Sequence, residues 1–140
     1  MLNKMLKWRK KNSKGFSLVE LIIVIAIMAV LVGILAPQFI QYVEKSRAAK
    51  DQKMVSEVQT AIQTALTEET LYNSIPDSCT VTFSKGAVAN FSWAALQTEV
   101  AKTIDLTNTK LSSKTYGDAT NAPTINIAKD GKVTTANIGG

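Results

Sequence analysis

The stretch KGFSLVELIIVIAIMAVLVGILAPQF, Lys14 to Phe39, holds one carboxylate, Glu20, directly before sixteen apolar or glycine residues, Leu21 to Ala36. At about 1.5 Å per residue this run covers about 24 Å as a helix, and Phe16 to Val19 bring it close to the roughly 30 Å hydrocarbon thickness of a bilayer. It reads as a helix that can span a membrane. A charge in such a segment costs up to about 3 kcal/mol at the bilayer centre, less near the end, and is a functional candidate by default. The plainer reading is a signal anchor that tolerates a carboxylate near the interface.

Toward the N-terminus, Lys4, Lys7, Arg9, Lys10, Lys11 and Lys14 precede the run with no acid among them. The net charge of +5 therefore belongs to the leader, because from Phe16 onward ten basic residues meet eleven acids, 10 − 11 = −1. A Lys-rich flank ahead of an apolar helix stays cytoplasmic by the positive-inside bias, so the remainder is expected to face outward. An ordinary signal peptide is cut after its apolar stretch beside small residues, and Ile34-Leu35-Ala36-Pro37 offers a poor site. A cut between Gly15 and Phe16 instead removes every leader charge and leaves a new α-amino group about one helical turn from Glu20. Within the run, Pro37 lacks an N–H and its ring crowds the carbonyl of Gly33, so both residues weaken one turn. Read on its own, that pair is a mild kink.

Toward the C-terminus, IQYVEKSRAAKDQKMVSEVQTAIQTALTEET continues with strong helix formers. Met54, Val58, Ala61 and Ala65, widened by Val55, Ile62 and Leu66, form one apolar stripe opposite Gln, Glu, Lys and Thr, so this half is expected to lie along a small soluble domain. A helix from Ser17 to Thr70 would extend about 80 Å. NSIPDS, with Pro76, reads as the break. Thr80 to Ser84 and Ala87 to Phe91 around Lys85-Gly86 resemble a hairpin, as do TINIA and KVTTANI around Lys129-Asp130-Gly131. Between the hairpins, Trp93, Leu96, Val100 and Ile104 fall at helical spacing, with Ser92 as the expected cap. The expected fold class is α+β: a long N-terminal helix, transmembrane then amphipathic, packed on a small antiparallel sheet with one short extra helix. Its divisions are a leader at 1–15, an apolar helix at 16–40, an amphipathic continuation at 41–72 and a head at 73–140.

Catalytic chemistry finds no foothold. There is no histidine, no Gly-rich phosphate loop, and no second cysteine to share a metal with Cys79. Glu68 and Glu69 are adjacent, about 100° apart on a helix, which suits solvation better than general acid/base pairing. Asp118, Asn121 and Asp130 lack the regular ligand spacing of a calcium loop. Residues 51–140 hold seven lysines against nine acids, which argues against nucleic acid as a partner. The expectation is a protein with no enzymatic activity, no metal and no cofactor, in which Cys79 is a buried or incidental thiol.

The segment KGFSLVEL, a glycine, an aromatic, a small hydroxyl residue, two apolar residues and a glutamate ahead of an apolar helix, resembles the recognition motif of type IV prepilins, and the likeness covers Lys14 to Phe39. The resemblance implies cleavage by prepilin peptidase between Gly15 and Phe16, N-methylation of Phe16, and self-assembly through a pairing of Glu20 with a neighbour's N-terminal ammonium. It further implies that the turn of Gly33 and Pro37 loosens on assembly; Phe39 and Tyr42, on one face just beyond that turn, read as packing between helices. The implied partners are copies of the chain itself, the peptidase, a membrane pilus-assembly platform, and the lipid bilayer before assembly. The implied course runs from a single-pass membrane protein with a cytoplasmic N-terminus to an extracellular surface filament serving adhesion or motility. The alternative is a major pseudopilin of a type II secretion or competence system. Many Gram-negative pilins close a C-terminal loop with two cysteines; one cysteine here fits a Gram-positive type better.

Overall fold

A computed structural model of the chain describes residues 15–138, so the six basic residues of the leader lie outside it. The chain divides into two units, Met1–Ile40 and Gln41–Gly140. Helix α1, Leu18–Ala65, starts in the first and ends in the second, with Pro37 inside it. In the first unit its large apolar side chains, from Leu18 to Leu35, are all at least half exposed. In the second, Val55, Val58, Ala61, Ile62 and Ala65 are buried, which is the stripe expected from their spacing. Met54, on the margin of that stripe, is only partly buried.

The helix ends at Ala65, five residues short of the expected Thr70. The cause is local. Thr67 N–H donates to the Thr64 carbonyl and Glu68 N–H to the Ala65 carbonyl, so the last turn tightens to three-residue spacing. The Thr67 hydroxyl reinforces this by donating to the same Thr64 carbonyl at 2.6 Å, the kind of side-chain competition that makes threonine a poor helix continuer. Glu68 is extended, and a single turn, α2 at Glu69–Tyr72, restarts in a direction that buries Leu71. Four residues on, Ile75 is buried as well.

The sheet comprises β1 (Cys79–Ser84), β2 (Ala87–Phe91), β3 (Thr124–Ile127) and β4 (Val133–Ala136) in the order β2-β1-β3-β4. Every neighbouring pair is antiparallel. Alternation turns Cys79, Val81 and Phe83 inward from β1, with Ala89 and Phe91 from β2 and Ile125 and Ile127 from β3. Val81 faces Phe91 on one side and Ile125 on the other, and these residues share one buried cluster with the α1 stripe. Both hairpins turn through glycines in the left-handed region, Gly86 at φ 73° and Gly131 at φ 81°.

Helix α3, Ala94–Thr103, buries Leu96 and Val100. The expected cap does not form: Ser92 Oγ accepts from Thr80 N–H at 2.8 Å, and Thr80 C=O accepts from Ser92 N–H at 2.9 Å. Ser92 therefore closes the β1–β2 hairpin. A 3-10 turn at Leu106–Asn108 follows, capped by Asp105. Its neighbour Thr109 is buried and accepts from Ala89 N–H of β2 at 2.9 Å. Cys79 is 1% exposed and unpaired among the described residues; burial pushes its thiol pKa up, partly opposed by a hydrogen bond from Ser92.

Candidate processing and assembly site

At the start of α1 the sequence Ser17-Leu18-Val19-Glu20 closes on itself. Glu20 Oε2 accepts from Ser17 N–H at 2.8 Å, and Ser17 Oγ accepts from Val19 N–H at 3.3 Å. Leu21 N–H donates to Ser17 C=O at 3.2 Å, the first bond of the helix. This is a capping box: the orphan amides of a first turn are served by a hydroxyl at the cap and a carboxylate three residues on. The S-x-x-E spacing carries that signal in the sequence, beside the motif that drew attention to Glu20. Placing an acid in the first turn also suits the positive end of the helix dipole.

The arrangement gives Glu20 a local role in addition to any role between subunits. Its single hydrogen bond among the described residues engages Oε2, and a carboxylate holds about four acceptor sites. Capacity therefore remains for a second donor. Phe16, four residues before Glu20 in the chain, is 91% exposed, and Gly15 is exposed with nothing within 4 Å of a Cβ built on it. Gly33 is equally open, and the helix continues through both Gly33 and Pro37. Phe39 and Tyr42 are exposed. Asn121 N–H donates to Asp118 C=O within one turn, while Asp130 accepts from Lys132 N–H in the β3–β4 turn. Among the described residues no group of three His, Cys, Asp or Glu is gathered as for a metal ion.

A second polar constellation lies in the second unit. Asp51, 1% exposed, accepts from Ser112 N–H at 3.0 and 3.1 Å, from Ser112 Oγ at 3.0 Å and from Ser113 N–H at 2.8 Å. Two helical turns earlier, Glu44 accepts from Lys114 N–H, and from Thr115 N–H at 3.0 Å. Two helix carboxylates thus satisfy four consecutive loop amides, 112 to 115. Burial would raise the Asp51 pKa, but the hydrogen bonds from Ser113 and Ser112 outweigh it and hold the group below 3.8. For Glu44 the same opposition, with bonds from Thr115 and Lys114 and the field of Arg47, leaves the pKa below 4.5. Tyr116, buried, completes the anchorage by accepting from Gln52 Nε2 at 2.7 Å. The sequence signal was Asp51 itself, a carboxylate in register with Val55, Val58 and Ile62 on the core face.

The described residues thus comprise one helix long and apolar enough to cross a membrane, whose first turn is capped by a carboxylate, and a small α+β unit. Residues 10–36 match the prokaryotic N-terminal methylation motif. The chain is 29% identical over 127 residues to a type IV major fimbrial protein FimA of Dichelobacter nodosus, covering 89% of this chain and 77% of that protein. It is 31% identical over 80 residues to prepilin peptidase-dependent protein A of Clostridium perfringens, 56% of each chain. With a fimbrial protein of Pseudomonas aeruginosa it shares 38% identity over 58 residues, spanning 41% of this chain and 38% of the relative. No solved structure matches the chain significantly. The motif and the relatives together support a type IV pilin family for the chain.

Proposed function

We propose that this protein is the structural subunit of a type IV pilus, made as a membrane-held precursor with its N-terminus in the cytoplasm. Prepilin peptidase cuts between Gly15 and Phe16, Phe16 is N-methylated, and an assembly platform draws the subunit into a surface filament built on α1. The fimbrial names of the relatives favour this over a secretion pseudopilus. The observation that carries the reading is the position of Glu20: one carboxylate in the first turn of an exposed apolar helix, four residues from the amino group that cleavage creates. When helices bundle away from water, each unpaired charge is costly, whereas a Glu20 carboxylate against a neighbour's ammonium at Phe16 neutralises both. Only correctly staggered subunits allow that pairing, so the carboxylate sets register. The turn of Gly33 and Pro37, which lacks one backbone hydrogen bond, is the place for α1 to loosen as subunits pack.

The capping box supplies a sharp test. Glutamine fills the same cap position as glutamate, so Glu20→Gln retains the cap and loses the charge, whereas Glu20→Leu loses both. Both variants are expected to insert and to be processed, and both are expected to leave subunit in the membrane while sheared filament falls at least tenfold. That fall corresponds to about 1.4 kcal/mol, below the roughly 3 to 5 kcal/mol typical of an orphaned buried charge, so it is a lower bound on the loss. Full filament yield from processed Glu20→Gln would leave Glu20 as a helix cap alone and remove the register argument.

A further inference from the structure

The second unit begins with QYVEKSRAAKDQK, Gln41 to Lys53, which carries four cations and two carboxylates. The two carboxylates, Glu44 and Asp51, are committed to the loop amides of residues 112–115. The cations are all exposed. Measured from the buried face, and at about 100° per residue, Lys45, Lys53, Lys50 and Arg47 fall near 100°, 180°, 240° and 300° around the axis. Lys45, Lys50 and Lys53 lie away from the buried face, and Arg47 flanks it. Lys53 lies 3.8 Å from Glu57, but among the described residues no carboxylate comes within 4.0 Å of Lys45, Arg47 or Lys50. Lys45 to Lys50 spans about 7.5 Å along the axis, so the three cations occupy one narrow level of the helix. The rest of the unit, residues 54–140, carries six lysines against eight acids, a charge of −2.

We infer that Lys45, Arg47 and Lys50 form a docking collar for the phosphate headgroups of anionic lipid on the outer side of the membrane, holding the unassembled subunit at a fixed depth. Three observations select lipid as the occupant. The collar starts five residues after Ile40, in chain order directly behind the apolar segment. Tyr42, 68% exposed, sits between the two and is the amphipathic aromatic favoured at a membrane–water interface. Glu44 and Asp51 are held by loop amides, which tempers their repulsion of a phosphate surface, although Glu44 stays within the field of Arg47. Nucleic acid fits less well, since the remainder of the unit is acidic.

The inference rests on the membrane residence proposed above, and the test separates the two. Full-length chain with a fluorophore on Ser46→Cys, where buried Cys79 escapes labelling, is reconstituted in phosphatidylcholine vesicles containing increasing phosphatidylglycerol and a headgroup-attached quencher. Flotation with the vesicles reports insertion independently. Quenching is expected to rise with phosphatidylglycerol and to fall with added salt. Each cation near an anionic surface changes attraction about fivefold, so Lys45→Gln/Arg47→Gln/Lys50→Gln is expected to raise the phosphatidylglycerol fraction for half-maximal quenching severalfold, while Lys45→Arg/Lys50→Arg keeps the wild-type curve. Equal quenching in neutral and anionic vesicles by inserted protein overturns the inference. So does a triple glutamine variant with an unchanged lipid curve and a lowered filament yield, which would assign the collar to a neighbouring subunit.

Discussion

Replacing Asp51 by alanine in a soluble fragment, residues 41–140, isolates the carboxylate clamp. The side chain is buried and serves three donors, Ser112 N–H, Ser112 Oγ and Ser113 N–H. Ser113 is itself buried at 0% exposure, so its amide loses its partner where water does not replace it. That orphan costs about 1 to 3 kcal/mol. Ser112, half-buried, recovers part of its bonding from solvent and adds less than about 1 kcal/mol. Two terms offset this: a buried carboxylate no longer has to be desolvated, and alanine gains a few tenths of a kcal/mol of helix propensity over aspartate. The net expectation is a loss of about 2 kcal/mol, read as a lower urea midpoint with an unchanged slope. Asp51→Asn keeps the shape and is expected to lose less.

The same clamp fixes a pH response. Asp51 and Glu44 both have folded pKa values below the ordinary 3.8 and 4.5. A depressed folded pKa contributes stability that is complete above the unfolded value and is lost as pH falls through the folded one. The fragment is therefore expected to show a flat urea midpoint from pH 7 to about 5 and a decline below about 4.5. Asp51→Asn should flatten part of that decline. A wild-type stability for Asp51→Ala at pH 7, or an acid decline identical in Asp51→Asn, would refute the assignment of the loop's anchorage to this carboxylate.

Three further outcomes follow from the geometry. Gly15→Val is expected to leave the precursor at full length, because the peptidase must accommodate the residue before the cut closely; intact-mass spectrometry of membranes reads this, and a mature chain starting at Phe16 contradicts it. Ser17→Ala removes the hydroxyl of the capping box while sparing the charge on Glu20, so amide exchange at Val19 should rise severalfold for a loss of about 1 kcal/mol, with filament yield changed far less than by Glu20→Gln. Gly131→Ala forces a side chain into the left-handed region and against Tyr72, whose Cε2 would lie 2.6 Å from the new Cβ. That should break the Tyr72 hydroxyl bond to the Asp130 carbonyl and cost about 1 to 2 kcal/mol for the backbone alone, measured by thermal melting of the fragment.

How much of this was legible depends on the range of the interactions involved. The helix, its buried stripe and both hairpins are written in local periodicity and in the glycines at 86 and 131, so they can be read without the fold. Glu20 stands out as a charge beside sixteen apolar or glycine residues, whereas Gly15 and Phe16 are singled out by the resemblance of KGFSLVEL to a prepilin motif, and their roles are those proposed above. The end of α1 was not legible, because Thr67 and Thr70 have weak preferences that the tightened turn at Thr64 to Glu68 decides. Ser92 departs from its expected role as a cap for a related reason: a serine before a helical pattern is as good a partner for Thr80 across a hairpin as it is a cap, and only strand pairing chooses. The loop from Leu106 to Pro123 has no periodicity to read.

Asp51 shows where the two kinds of information meet. A carboxylate in register with Val55, Val58 and Ile62 conflicts with the stripe around it, and such a conflict persists only if the fold supplies donors. The donors come from residues about sixty positions away, so the sequence poses the question and the tertiary structure answers it. Glu20 has the same form. Its conflict is with a membrane, the capping box answers half of it from within the chain, and the unused acceptor capacity is what a second subunit would have to satisfy. On the proposed reading, an acid on an apolar helix face marks in both cases where another segment docks. For Asp51 that segment is the chain's own loop; for Glu20, on the proposed reading, it is the N-terminus of a neighbouring copy.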